Sequence, residues 1–412
     1  MNTKEKDGHM AVHDERANPV ENTAAPDASD EHLQKIWDRV VGRRSFLRQA
    51  GLASAVAVPA SAIVASGASA KRLRKATDQP TAGDFAILRF LCAAEIIESD
   101  LWEQYAGFGG QATTDRPNDG QNGFYVSALQ NLDSDMPQYI SDNTDDEESH
   151  QTFINAYLMS KGQRPVSLEP FRRLPPSPAT GGGTKNRLTN LMSLNVDTSY
   201  YLRYRAVTNP DFGATFGQAV TIKNQPAIPL SDTETPPGDT ITAVPVPNDP
   251  KQQRMQAIAN TAGFHFGMIE QGGSSLYTTM ALKATSLEVL RIVVAIGGVE
   301  TNHFSLWHDK AGNAVALPLS GVTDPKTGTT FPNLNTGSEA TQTNLILPEP
   351  CEFIPGLPAC SVVRPTIDEL AGARAAVKGL TKDGLFDGQS DGFFHFIKRL
   401  AREADAATRE IG

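Results

Sequence analysis

Four stretches of the chain carry apolar residues at three- and four-residue steps, and each interrupts its apolar face with a charged side chain. The first, "DFAILRFLCAAEIIESDLWEQYAGFGG", predicts a helix capped by Asp84 and stopped at Gly107, Gly109 and Gly110. Its stripe runs through Leu88, Leu91 and Cys92 to Trp102 and passes over Glu95, with Glu98 one turn further on. The second, "MPQYISDNTDDEESHQTFINAYLMSKG", places Met136, Ile140, Asn143, Glu147, His150, Ile154 and Tyr157 on one face, with Pro137 near its start and Gly162 just past its end. A third helix opens at Pro250 and carries Glu270; Gly263, Gly267, Gly272 and Gly273 weaken it in isolation but permit close approach to a neighbour. The fourth opens on the capping-box pattern Thr285-Ser286-Leu287-Glu288 and runs through Val289, Val293, Ile296 and Gly297 to Glu300, His303 and Trp307.

The intervening text differs in character. Residues 71–83 read as a linker. Between the second and third helices, residues 163–249 form an insertion or crossover. In it, "RRLPPSPATGGGTKNR" is loop, "LTNLMSLNVDTSYYLRYR" suggests a helix, and a proline-rich run follows with short strand-like pieces. Residues 311–412 form a loop-rich and helical C-terminal extension, with helices expected in "TIDELAGARAAVKGLTKD" and "FFHFIKRLAREADAATREIG". The expected architecture is all-α: a four-helix bundle over 84–310 with a long insertion between helices 2 and 3.

Composition narrows the function. With 412 residues the chain has ample apolar content for a core, and its net charge of -10 disfavours nucleic acid as a partner. Its 3 cysteines exclude a disulfide framework and a four-sulfur zinc site; Cys351 and Cys360 could either bond across a short loop or stay free. Phosphate-loop, dinucleotide and serine–histidine–aspartate patterns do not stand out. The segment from Arg43-Arg44-Ser45-Phe46-Leu47-Arg48 through an alanine-rich run to Ala68-Ser69-Ala70 resembles a twin-arginine export signal with an A-x-A cleavage pattern, Arg48 standing where lysine is usual. Residues 1–70 are accordingly expected to be a disordered lead and a signal peptide. The resemblance implies the twin-arginine export machinery as a partner, a periplasmic or other extracytoplasmic location, and a cofactor loaded before export.

The chemistry lies in two Glu-x-x-His pairs, Glu147 with His150 and Glu300 with His303. Residues at i and i+3 share a helix face, so each pair can converge on one ion. One such pair is weak evidence. Two of them, alternating with Glu95 and Glu270 in the order Glu, Glu-x-x-His, Glu, Glu-x-x-His, match the ligand set of a two-metal carboxylate site inside a helix bundle. Oxygen donors with one imidazole per metal suit iron or manganese, two ions per chain. Among the neighbours, Glu148 is expected to face solvent, His265 to be a plain core or surface histidine, His308 to be peripheral, and Cys92 to pack in the core. Tyr157 either supports a ligand or fills the core, and the latter is favoured.

On these residues the chain resembles the ferritin-like superfamily, in the branch of exported bacterial proteins related to desiccation-associated proteins. The similarity covers about 84–162 and 250–310, and "ILRFLCAAEIIESDLWEQY" is similar to the branch's first helix. It implies that Glu95 and Glu270 are the single-glutamate ligands and that the two Glu-x-x-His pairs complete the set. The insertion and the extension depart from a storage ferritin, so a hollow iron-storing shell is not expected. What the resemblance implies for activity is oxidation of ferrous iron or removal of peroxide, with O₂ or peroxide as small-molecule substrate. The alternative is a non-enzymatic envelope scaffold that keeps the bundle for stability.

Overall fold

The structure is a computed structural model that describes residues 79–198, 221–234, 250–312, 321–331, 356–363 and 372–410. The arginine-pair segment lies outside these residues, as does Cys351, and with it the question of a Cys351–Cys360 bond. Four long helices form the bundle: α1 (Ala82–Gly109), α3 (Met136–Ser160), α4 (Pro250–Ala281) and α5 (Leu287–Gly312). A short helix that the sequence pattern did not suggest, α2 (Gly123–Gln130), bridges α1 and α3 and packs against α4.

The bundle is built as two intimate pairs, α1 with α3 and α4 with α5. Small residues set the second pair's spacing. A Cβ on Gly297 of α5 would lie 2.7 Å from the Tyr277 Cβ, so only glycine permits this approach. Aromatic side chains then join the pairs. Trp102 of α1 lies 4.9 Å (centroid to centroid) from Phe266 of α4 and stacks at 5.3 Å on Trp307 of α5. All three rings are fully buried.

Helix starts are fixed by side chains that reach backbone N–H groups. The first helix begins two residues before the expected cap: Thr81 is the N-cap and Asp84 its reciprocal partner at the third helical position. The Asp84 carboxylate accepts from Thr81 N at 2.9 Å, and across the bundle from Thr285 N at 2.8 Å and Ser286 N at 3.1 Å. One buried carboxylate therefore caps α1 and anchors the start of α5. At that start Ser286 is the cap, accepting from Val289 N at 3.3 Å.

The insertion is held to α1 by Asp100. This buried carboxylate accepts from the backbone of Leu188 and Thr189, both at 2.9 Å, and pairs with Arg172. Where a helix was expected after Leu188, the chain instead forms strand β1 (Leu194–Asp197), antiparallel to β2 (Thr221–Gln225). Pairing with a segment distant in sequence overrides the local helical pattern. The C-terminal helices α6 (Ala373–Lys382) and α7 (Asp391–Asp405) pack on each other, and α7 covers α1 with Phe393, Ile397, Leu400 and Ala404 inward. Among the described residues no helix is long and apolar enough to cross a membrane.

Asp84→Ala removes an acceptor shared by three backbone donors, and is expected to lower stability by about 2–4 kcal/mol while leaving the bundle interior intact. Denaturant melts of the wild-type and variant proteins measure it.

Candidate metal centre

Each bundle helix delivers its chemistry from mid-length to the interior, because the apolar faces that drive packing carry the polar residues with them. Glu95 (α1), Glu147 and His150 (α3), Glu270 (α4), and Glu300 and His303 (α5) all converge between the two helix pairs. The four glutamates are fully buried, and the two histidines nearly so. Two groups form: Glu95, Glu147, His150 and Glu300; and Glu147, Glu270, Glu300 and His303. Within each group the candidate donor atoms lie within 4.8 Å of one another.

This partition revises the expected division of labour. Each Glu-x-x-His pair was expected to serve one ion, yet Glu147 and Glu300 belong to both groups. The unshared members are Glu95 with His150 and Glu270 with His303, so each half takes one helix pair's single glutamate and that pair's imidazole. A glutamate at the bundle axis reaches both halves, while the imidazole three residues on, tilted along the helix, reaches only one.

The imidazoles present Nδ1 to the centre. His150 Nδ1 lies 3.2 Å from both Glu95 Oε2 and Glu147 Oε2, and 3.4 Å from Glu300 Oε1. His303 Nδ1 lies 3.1 Å from Glu147 Oε1 and 3.2 Å from Glu270 Oε2. On its far side, His303 Nε2 meets Asp146 Oδ2 at 3.1 Å, a carboxylate that fixes the ring's orientation. Asn143 donates to Glu147 Oε1 at 2.9 Å and to Glu270 Oε1 at 3.1 Å, and accepts from Trp307 Nε1 at 2.8 Å. Tyr277 donates to Glu95 Oε1.

Crowding shifts the titrations. Burial pushes Glu95 up to about 7 against the pull of His150. Burial also raises Glu300 well above the carboxylate range, with Glu147 adding repulsion, and raises Glu270. Glu147 is the exception. Burial raises it, but hydrogen bonds from His150 and His303 outweigh that and hold its carboxyl well below the usual range. Both imidazoles are raised in turn, since the carboxylates beside them outweigh the cost of burial.

The donors fit cations. Both carboxylate oxygens of Glu300 are buried and meet no donor in good hydrogen-bond geometry, the His150 Nδ1 contact at 3.4 Å being an ion pair, an arrangement that leaves lone pairs for an ion. A Cβ on Gly273 would lie 2.4 Å from Glu300 Oε2, so the glycine makes room for that carboxylate. With neutral imidazoles, four ionised carboxylates carry a formal charge that two divalent cations balance. Carboxylate and imidazole donors suit metal ions other than sulfur-seeking ones.

One neighbour differs from expectation. Glu148 is not solvated; it is mostly buried and pairs with Arg116 at 2.9 Å. Tyr157 packs half-buried against the core, in line with the favoured expectation, and its hydroxyl donates to Glu288 at 2.9 Å, away from the centre. His308 is buried beside Phe304 and belongs to neither donor group. Cys92 is core, as expected. Tyr277, which does support a ligand, lies seven residues after Glu270, and that helical spacing is its only sequence signal. Glu98 lines an apolar cavity of about 40 Å³ bounded by α1, α4, α6 and α7, and Gly273 sits in the same wall.

A family model described as a ferritin-like domain matches residues 83–313, a span that takes in all four bundle helices. No curated protein and no solved structure gives a significant match.

The metal-free protein has a definite pH signature. Because the folded Glu95 pKa exceeds the unfolded value, its contribution to stability is complete below about 4.5 and lost as pH rises through about 7. Thermal melts of metal-free protein are therefore expected to weaken from about pH 5 to about pH 8. Glu95→Gln flattens the slope.

Proposed function

Because the chain belongs to the ferritin-like domain family, we propose that it holds two iron or manganese ions in the buried glutamate–histidine cluster and uses them to consume O₂ or peroxide, oxidising ferrous iron or detoxifying peroxide. The observation that carries this reading is the pair of buried donor groups sharing Glu147 and Glu300, with neither Glu300 oxygen meeting a donor in good hydrogen-bond geometry. Two adjacent redox-active ions supply electrons in pairs, which is the stoichiometry that reduction of an O–O bond requires.

The chain's own residues provide the rest. Glu95 with His150, and Glu270 with His303, would each hold one ion, and Glu147 and Glu300 would hold both. Asn143 and Tyr277 fix ligand carboxylates through hydrogen bonds, and Asp146 orients His303. The raised carboxylates and imidazoles release protons when cations enter, so metal affinity rises with pH. The apolar cavity beside Gly273 favours a small uncharged oxidant over a bulky or ionic one. Read with the arginine-pair signal, this chemistry operates outside the cytoplasm after export of the folded, metal-loaded chain.

Metal analysis and peroxide- or O₂-consumption assays on protein produced with its arginine-pair segment test the proposal. Glu147→Ala and Glu300→Ala are expected to lose both ions and all turnover. Glu95→Ala and Glu270→Ala are expected to retain one ion each. Wild-type metal content and turnover in the Glu147 and Glu300 variants would discard the reading, and two bound ions without turnover in the wild type would leave a scaffold.

A further inference from the structure

A line of oxidisable aromatic side chains runs from the cluster into the bundle core. It starts at Asn143, which binds Glu147 and Glu270 and accepts the Trp307 indole N–H at 2.8 Å. Trp307 stacks on Trp102 with ring centroids 5.3 Å apart and planes inclined by 20°. Trp102 lies 5.7 Å from Tyr105, whose hydroxyl is 2.7 Å from His265 Nδ1. Trp307, Trp102, Tyr105 and His265 are all fully buried.

Packing alone leaves part of this arrangement unexplained. The Trp102 indole N–H and His265 Nε2 are buried without hydrogen-bond partners. Each such atom costs stability that phenylalanine or leucine at the same place would not. Indole and phenol are also the side chains that give up one electron most readily. An oxidised phenol becomes strongly acidic, so a buried tyrosine can be oxidised only where a base takes its proton at once. His265 is placed to be such a base: its Nδ1 stands 2.7 Å from the hydroxyl, and burial, which lowers its pKa to about 3, keeps the ring neutral with a lone pair for an acid as strong as the oxidised phenol.

We infer that Trp307, Trp102, Tyr105 and His265 form a one-electron path ending in a proton-coupled tyrosine–histidine pair. The path rests on the proposed function for its natural oxidant, the dimetal centre once oxidised by peroxide. One electron leaves the Tyr105 phenol by way of Trp102 and Trp307, and that oxidant, held by the glutamate–histidine cluster, would take it up. The Tyr105 O–H bond breaks as the electron leaves, and the proton goes to His265 Nδ1, with the ring's own proton on Nε2. The products are a neutral phenoxyl radical and an imidazolium. The path gives the centre a third reducing equivalent and draws a stray oxidising equivalent away from the ligands.

The test uses metal-free protein, so it is independent of metal loading. In a Trp37→Phe background, Trp102 and Trp307 are the remaining tryptophans of the 3 in the chain. Laser photoionisation of indole is expected to give a tryptophan radical whose decay matches the growth of a tyrosyl radical, slowed in D₂O. Adding Tyr105→Phe is expected to abolish the growth and leave the tryptophan radical long-lived, and His265→Leu to remove the D₂O effect; circular dichroism confirms that each variant is folded. Tyrosyl growth that persists in Tyr105→Phe, that vanishes only in Tyr277→Phe, or that is absent from the folded Trp37→Phe protein overturns the inference. In metal-loaded protein treated with peroxide, the Tyr105-dependent radical signal is expected by electron paramagnetic resonance. A chain that takes up no metal would defeat the proposed function and leave the photochemical result standing.

Discussion

Six ionisable side chains meet in the interior of the bundle, and the cost of desolvating them governs the rest of the structure. A carboxylate removed from water without compensation costs several kcal/mol, and here four lie together. Without cations the cluster answers by redistributing protons. Glu95, Glu270 and Glu300 are raised, the imidazoles are raised, and Glu147, flanked by both histidines, is held ionised. Divalent cations would replace those protons with charge that the donors are placed to share. The cluster is thus a liability to the empty fold and would be a source of stability to a loaded one.

Such a site needs walls that do not relax around it. Within the second pair, α4 and α5 approach closely where Gly297 meets Tyr277, and Gly273 leaves space for the Glu300 carboxylate. Stacked rings of Trp102, Trp307 and Phe266 then lock one pair onto the other. Trp307 serves both purposes, since its ring packs in this core and its N–H holds Asn143 against two ligands. A redox role for these aromatics adds no new element to the fold; it uses the contact that already joins its halves.

Segments outside the bundle fasten its ends and cover its flank. Asp84 ties the start of α1 to the start of α5, and Asp100 ties the insertion to α1, each by accepting several backbone N–H groups at once. A third buried carboxylate, Asp324, meets Arg254 of α4 and Gln225 of β2. The C-terminal helices close one side of the apolar cavity that reaches the Gly273 wall. The extension therefore closes the cavity between α1 and α4.

The order of the four helices, the inward face of each and the six candidate donors were all legible in the sequence, because each follows from a local spacing along one helix. Glu95 on the stripe of Leu91 and Trp102 is such a case, and so is the three-residue step from Glu300 to His303. What the sequence could not decide depends on partners remote along the chain. The sharing of Glu147 and Glu300 between two groups, the Tyr277 bond to Glu95 and the Arg116 pairing of Glu148 arise only when helices are set side by side. The strand at Leu194–Asp197 is of the same kind, since its hydrogen bonds go to Thr221–Gln225. Periodicity determines which face of a helix turns inward; the packing of one face on another decides which atoms meet there.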